Sequence, residues 1–149
     1  MLPSGKICDG RAMAYWIFKS EPNSYSWNDL VRDGITGWDG VRNHQASNNM
    51  KAMKIGDRGF FYHSVGDREI VGVVEVVEEY QPDPTDKSGK FGMVKVKPVK
   101  PVETPVSLAQ IKADPDFADL PLVRHSRLSV SPVPPEAWKK LCEMAWIEA

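Results

Sequence analysis

Short apolar runs, separated by turn-forming residues, predict a chain built mainly of β-strands. The first run is aromatic and β-branched, and a later one alternates strictly between apolar and polar residues, as expected for a strand with one buried face. The predicted strands cover residues 15–19, 58–64, 69–79, 93–97 and 128–133. The second and third of these strands form a hairpin through residues 65–68. Since no strand–helix–strand alternation occurs, the pattern favours a mixed α+β fold with a barrel-like sheet over a Rossmann sheet.

Capping signals and helical spacing predict short helices between these strands. Ser26, followed three residues later by Asp29, resembles a capping box that opens a helix ending before Gly34. A second helix is predicted over residues 45–53, and a third begins at residues 107–112. The helices are therefore expected to flank the sheet.

Prolines shape the prediction for the C-terminal half of the chain. Pro98, Pro101 and Pro105 predict that no continuous strand or helix crosses residues 98–105. Pro135 opens a closing helix, with a predicted apolar stripe formed by Trp138, Leu141, Cys142, Ala145 and Trp146.

Composition and net charge do not change the predicted fold, but they limit the functions that the chain can have. The chain has 149 residues, enough for one domain with a real core, and a net charge of −1. Any nucleic-acid binding must therefore rest on a local basic patch, and its salt dependence should be shallow. Residues 1–12 lack the apolar stretch of a signal peptide, so we expect a disordered extension followed by one domain over 13–149.

The cysteines and the apolar runs bear on the compartment. Cys8 and Cys142 lie near opposite ends of the chain and have no metal-type spacing, which indicates free thiols in a reducing compartment. No apolar run approaches the length of a membrane span. We therefore expect a cytoplasmic protein with no membrane partner.

Residues 36–49 carry the strongest functional signal. Trp38 lies between two glycines and offers a flat ring, Arg42 offers a planar cation, and Asn43 and Gln45 offer paired donors and acceptors. This chemistry is typical of a site that stacks one planar ring and reads its rim. The alternative is a core tryptophan followed by a polar loop and the start of a helix.

Polar groups also follow predicted strands elsewhere. At 19–20, Lys19 could reach a phosphate and Ser20 a base edge, whereas Glu21 would hold an arginine in place; a simple strand-to-turn signal is the alternative. At 62–64, neighbouring side chains point to opposite faces of a strand, so His63 and Ser64 cannot form a nucleophile–base pair. A ligand-lining or structural role is expected for this group: Tyr62, His63 and Ser64.

A basic cluster precedes the last predicted strand. Arg124 and Arg127 flank His125 and Ser126, and guanidinium groups this close suit either phosphates or a buried carboxylate such as Glu21. Both interpretations stay open.

Signatures of cofactor chemistry are missing from the sequence. The three histidines are dispersed, and the chain has no zinc-deaminase signature, no phosphate-binding P-loop, no dinucleotide GxGxxG and no GxSxG elbow. We therefore predict no metal, no cofactor and no catalytic residue.

Taken in order, several segments resemble the EVE domain family. They are Tyr-Trp-Ile-Phe-Lys-Ser-Glu-Pro at 15–22, Trp-Asp-Gly-Val-Arg-Asn at 38–43, Gly-Asp-x-x-Phe-Phe-Tyr-His-Ser at 56–64, Tyr-x-Pro-Asp-Pro-Thr at 80–85 and Leu-Val-Arg-His-Ser-Arg-Leu-Ser-Val-x-Pro-Val at 122–133. The resemblance implies a PUA-like fold, a mixed pseudobarrel related to the YTH domains that read methylated adenine in RNA. It also implies recognition of a modified base, in DNA especially, that leaves the stack and enters an aromatic-walled pocket.

The resemblance assigns expected roles to individual residues. Trp38 resembles a cage tryptophan of the YTH domains, but the loop at 83–89, where those domains place further tryptophans, has no aromatic residue. The pocket is therefore expected to be polar and half-open. The expected base-binding residues are Ser20, Trp38, Asn43, Tyr62, His63, Ser64 and Ser126, and the expected phosphate-binding residues are Lys19, Arg42, Arg124 and Arg127.

The resulting hypothesis is a non-catalytic reader of a modified pyrimidine or methylated purine in nucleic acid, with DNA favoured over RNA. An unidentified effector protein would have to supply any downstream action. The alternative from another class is a binding module for a free planar metabolite such as a nucleoside. A base-modifying enzyme is a third and weaker hypothesis.

Overall fold

A mixed six-stranded sheet forms the centre of the computed structural model, which describes residues 14–66, 68–125 and 128–147. The strands are β1 (Tyr15–Ser20), β2 (Thr36–Gly37), β3 (Arg58–His63), β4 (Glu69–Pro82), β5 (Gly92–Ser107) and β6 (Val130–Val133), in the order β2-β5-β4-β3-β1-β6. β1 runs parallel to β3, and the other neighbouring pairs are antiparallel. The α+β prediction is confirmed, and the expected extension at 1–12 lies outside the described residues.

Short helices flank the sheet: α1 (Trp27–Asp33), α2 (His44–Lys51), α3 (Leu108–Lys112), α4 (Pro121–Arg124) and α5 (Pro135–Met144), with a 3₁₀ turn at Pro115–Phe117. The predicted capping box is present, because the Ser26 hydroxyl accepts from the Asp29 amide and the Asp29 carboxylate accepts from the Ser26 amide. Ser107 caps α3 in the same way through Gln110. Within the described ranges, no helix has the length and apolar character needed to cross a membrane.

The sheet separates two hydrophobic cores. On β1, Trp16 and Phe18 belong to the first core, whereas Ile17 belongs to the second. Since neighbouring residues of a strand point to opposite faces, the two cores lie on opposite faces of the sheet. Residues of α1 and α2 pack into the first core, and residues of α3 and α5 pack into the second.

His63 joins α1 to the end of β3. Its Nε2 accepts a hydrogen bond of 3.2 Å from the Trp27 amide, at the start of α1. Its ring also meets Phe61 edge-on, with a centroid distance of 5.6 Å. Burial lowers the pKa of His63 below its ordinary value, and an acceptor nitrogen must be unprotonated, so the folded chain favours neutral His63.

The prediction that prolines interrupt the chain at 98–105 is wrong. β5 continues through Pro98, Pro101 and Pro105 and pairs with β4, with register shifts along the ladder. On its other side, among the residues that the structure describes, β5 pairs with the two residues of β2 alone, at Val96 and Lys95. Beyond this contact β5 is an edge strand, where the missing amide of a proline costs no ladder bond.

The predicted closing helix is confirmed, and most residues of its predicted apolar stripe are buried. Trp138, Leu141, Cys142 and Ala145 are buried in the second core, and burial raises the pKa of the Cys142 thiol to about 11. Trp146 is an exception, since it is 73% exposed. α5 ends before it in a Schellman motif, in which the Ile147 amide donates to the Cys142 carbonyl and the Trp146 amide to Glu143. This motif places Trp146 at a φ of 60°, in the left-handed region.

Glycine at position 146 should relieve the strain of this helix end. A left-handed conformation costs a non-glycine residue about 1–2 kcal/mol. Glycine avoids this cost but loses more chain entropy on folding, which offsets roughly 0.5–1 kcal/mol of the gain. We therefore expect Trp146→Gly to have a free energy of unfolding about 1 kcal/mol above that of Trp146→Ala, which loses the same ring and keeps the strain. Urea denaturation followed by circular dichroism measures both. Equal stabilities would contradict the strained helix end.

The acceptor role of the half-buried His63 predicts a pH dependence of stability. Below pH 6.5 the unfolded chain binds a proton at this histidine that the folded chain does not yet bind, so the free energy of unfolding falls as the pH falls. His63→Gln should flatten the dependence between pH 7.5 and 5.5, measured by urea denaturation. The control is His44→Gln, which removes an exposed histidine. If both variants flatten the dependence equally, His63 is not the group responsible.

Candidate nucleic-acid interface

A cavity of about 560 Å³ opens between the end of β1 and the segment 36–42. This volume lies in the range of small-molecule binding pockets. The lining residues are mostly polar and come from the end of β1, the turn after it, β2 with the segment that follows, and the approach to β6. They are Lys19, Ser20, Glu21, Ser24, Tyr25, Thr36, Gly37, Trp38, Asp39, Gly40, Val41, Arg42 and Ser129.

A tight turn after β1 forms one side of the cavity. The amides of Ser24 and Tyr25 both donate to the Glu21 carbonyl, at 2.9 and 2.8 Å. The turn brings the Tyr25 carbonyl back to Ser20, whose hydroxyl donates to it at 2.6 Å. Glu21 precedes a proline, which disfavours helical geometry there and ends the strand.

Trp38 lines the opposite side, although its ring is less open than the sequence suggested. Only 8% of the residue is exposed, and it belongs to the first core. The indole meets Phe18 and Phe61 edge-on at centroid distances of 5.1 and 5.7 Å. The expectation of a broad indole face open to solvent is therefore wrong, because these rings enclose most of it. Its remaining surface borders the cavity.

Arg42 lines the mouth and is held by the loop that follows β4. Its guanidinium lies 3.2 Å from the Asp83 carboxylate, donates to the Thr85 hydroxyl at 3.1 Å, and lies 5.8 Å from the Phe91 ring centroid. Asp83 is buried, which by itself raises its pKa. Hydrogen bonds from Thr85, the Gly40 amide and Arg42 outweigh that effect and hold the pKa of Asp83 below its usual value.

Lys19 and Glu21 flank Ser20 and differ in burial. The side chain of Lys19 is half-buried, and burial lowers the pKa of its ammonium. Glu21 is exposed and has no ion pair with an arginine in the part of the chain that the structure describes. The expectation that Glu21 is a buried carboxylate is therefore wrong, and none of the arginines that the structure describes is held by it.

Some predicted base-binding residues lie away from the cavity lining. Asn43 caps α2, with its Oδ1 accepting from the Ala46 amide at 2.9 Å. Tyr62 is buried in the second core, on the opposite face of the sheet from Trp38. His63 is engaged with α1, and Ser64 donates its amide to the Ser20 carbonyl at 3.0 Å. Of the predicted group, Ser20 and Trp38 share the cavity.

The basic cluster at 124–127 is described only in part. Arg124 ends α4 and lies 3.3 Å from the Asp119 carboxylate, with both side chains exposed, and it does not line the cavity. Ser126 and Arg127 lie outside the described residues. Of the predicted phosphate-binding residues, Lys19 and Arg42 are brought together at the cavity.

Sequence analysis missed Tyr25, Thr36 and Asp83. The phenol of Tyr25 donates to the Asp33 carboxylate at 2.7 Å, and the Thr36 hydroxyl hydrogen-bonds to the phenol in turn. Asp83 precedes Pro84-Thr85, a turn signal that could have indicated a carboxylate accepting from its own turn. No local signal indicates that its other oxygen reaches Gly40, which lies 43 residues away in sequence.

Comparisons with known proteins agree with this architecture. The EVE domain family model matches residues 14–144. Thymocyte nuclear protein 1 of Rattus norvegicus is 42% identical over a stretch that covers 52% of this chain and 40% of the rat protein. The matched stretch is thus less than half the length of that relative.

Solved structures extend the likeness over most of the chain. An NMR structure from Rhodopseudomonas palustris has a TM-score of 0.85 and 51% identity, covering 90% of this chain and 94% of that one. Human THYN1 in complex with 5-methylcytosine-containing DNA has a TM-score of 0.84 and 30% identity, covering 91% of this chain and 99% of that one. A YTH domain from Zygosaccharomyces rouxii, at 17% identity and a TM-score of 0.59, shares the fold alone. With a family match that spans its six strands, this chain belongs to the EVE domain family and has its PUA-like fold.

Proposed function

We propose that this chain binds a modified base in nucleic acid, in DNA rather than RNA, and leaves that base chemically unchanged. The base would enter the cavity bordered by Ser20, Tyr25 and Trp38, and the neighbouring phosphates would meet Lys19 and Arg42. One observation carries the proposal: a polar cavity of ligand-binding size lies in a fold whose human relative THYN1 was solved with 5-methylcytosine DNA.

A base inside a duplex cannot reach such a cavity, so binding would require its extrusion. Flipping a paired base costs a few kcal/mol, whereas stacking on an aromatic side chain returns about 1–3 kcal/mol per base. With 8% of Trp38 exposed, contact with its ring would return less than a full stack. Hydrogen bonds from the base edge to the cavity wall would therefore have to supply both affinity and selectivity.

Phosphate contacts would come from a local patch. The net charge of −1 gives no general attraction to nucleic acid, but Lys19 and Arg42 line the same cavity. Asp83 offsets part of the charge on Arg42 and fixes its position at the cavity. A phosphate close to Lys19 would favour the charged form of its ammonium.

The proposed role is recognition without chemistry. His63, the histidine nearest to the end of β1, has its Nε2 occupied by the Trp27 amide, so it is not available as a general base in this arrangement. A partner protein that responds to the bound complex would then supply the downstream action.

Removing the Lys19 charge should weaken binding and its salt dependence. With two phosphate contacts, the slope of log K against log salt should be about −2, and Lys19→Gln should bring it close to −1. Fluorescence anisotropy with a labelled duplex carrying one central 5-methylcytosine measures both quantities. Lys139→Gln is the matched control, because this exposed lysine lies on α5, at the other face of the sheet.

Further arms of the same titration separate the competing functions. The unmodified duplex, the same sequence as RNA and the free 5-methyldeoxycytidine nucleoside are measured in parallel. Tighter binding to the modified DNA supports the proposal. Equal affinity for the nucleoside and the oligonucleotide would instead favour a metabolite-binding module. If Lys19→Gln and Lys139→Gln behave alike, the assigned phosphate site is wrong.

A further inference from the structure

The hydroxyl of Ser20 faces the cavity with its hydrogen already committed. It donates at 2.6 Å to the Tyr25 carbonyl, an atom that can only accept. A serine hydroxyl has one hydrogen and two lone pairs, so Ser20 Oγ retains acceptor capacity alone. Towards a ligand, Ser20 therefore acts as a hydrogen-bond acceptor.

Backbone donors along the same wall are committed as well. The amides of Lys19 and Trp38 donate to the carbonyls of Ser129 and Val94, at 2.9 and 2.8 Å. The Gly40 amide donates to the Asp83 carboxylate at 2.8 Å. These three amides are therefore not available to a base edge.

Further side chains strengthen the acceptor character. Tyr25 directs its phenolic hydrogen to Asp33, at 2.7 Å, rather than into the cavity. Glu21 follows Ser20 directly and is also a lining residue of the cavity, and its carboxylate only accepts when ionised. The cations Lys19 and Arg42 are the groups assigned above to phosphate.

We propose, on the basis of the function proposed above, that the cavity selects bases that carry an exocyclic amino group and that Ser20 Oγ accepts a hydrogen bond from that group. Cytosine presents an N4 amino donor, and carboxylate acceptors such as Glu21 also suit this group. Adenine presents an equivalent N6 amino donor. Thymine presents the O4 acceptor at the matching position, so two acceptors would face each other without a hydrogen.

A matched pair of ligands tests this selection. 5-Methylcytosine and thymine share the pyrimidine ring and the 5-methyl group, and differ in the amino or carbonyl group at C4 and in the proton at N3. Each is placed once in an otherwise identical single-stranded oligonucleotide, which removes the cost of breaking a base pair. Wild-type protein should bind the 5-methylcytosine strand about tenfold more tightly or better, the effect of one unsatisfied polar group.

Variants at Ser20 locate the source of the preference. Ser20→Ala removes the acceptor and should bring the two affinities to within about threefold, whereas Ser20→Thr keeps a hydroxyl and should keep the preference. Water can replace the lost hydroxyl at the Tyr25 carbonyl, since the cavity is open. Ser24→Ala is the control, because Ser24 lines the same cavity from the turn. The readout is the ratio of the two affinities, which a general loss of stability does not change.

The outcomes separate this inference from the function on which it rests. If the preference for the 5-methylcytosine strand is lost in Ser20→Ala and kept in Ser20→Thr and Ser24→Ala, both the amino selection and the proposed function are supported. If both strands bind equally well, or thymine binds better, the amino selection is wrong and nucleic-acid binding stands. If the preference survives in Ser20→Ala, Ser20 is not its source and the assignment fails. If no oligonucleotide binds, the proposed function fails and the selection with it.

Discussion

The edge-to-face packing of Trp38 against Phe18 and Phe61 holds the functional side of this molecule together. β2 consists of two residues, and two residues of ladder do not fix a strand by themselves. Trp38 directly follows this short strand, and its indole meets Phe18 of β1 and Phe61 of β3 at the centre of the sheet. Each such pair contributes about 0.5–1.5 kcal/mol beyond the burial of apolar surface. Segment 36–42, and with it one wall of the cavity, therefore has its position set by the core.

This anchoring changes how the site can work. A tryptophan that supports the wall cannot also present its full face to a ligand, so affinity must come from other groups. The polar turn after β1 and the cations at the mouth are the groups in place for this. The second anchor, Asp83, binds the Gly40 amide and the Arg42 guanidinium together and so fixes the mouth through one buried carboxylate. Shape is thus set by buried contacts, while recognition depends on the polar rim.

Local signals were sufficient for parts of the fold. The first strand and the Ser26 capping box involve residues within a few positions of each other, and both are confirmed. The prolines of β5 led to a wrong prediction. Their effect depends on whether the strand lies at the edge of the sheet, and this is decided by the strands that pair with it. The exposure of Trp38 was misjudged for the same reason, since Phe18 and Phe61 are distant in sequence. A two-residue strand also gives no periodicity from which a buried side can be read.

Hydrogen-bond polarity at Ser20 is a further property that only the fold determines. In the sequence, a serine is equally a donor and an acceptor, and so it indicates no class of base. The turn at 21–25 returns the Tyr25 carbonyl to within 2.6 Å, which takes the hydroxyl hydrogen and leaves the lone pairs. The conformation of this turn depends on the Glu21 carbonyl, which accepts from the amides of both Ser24 and Tyr25. A change in the conformation of this turn would release the hydrogen of Ser20 and alter which base edge fits, even with every residue of the cavity lining unchanged.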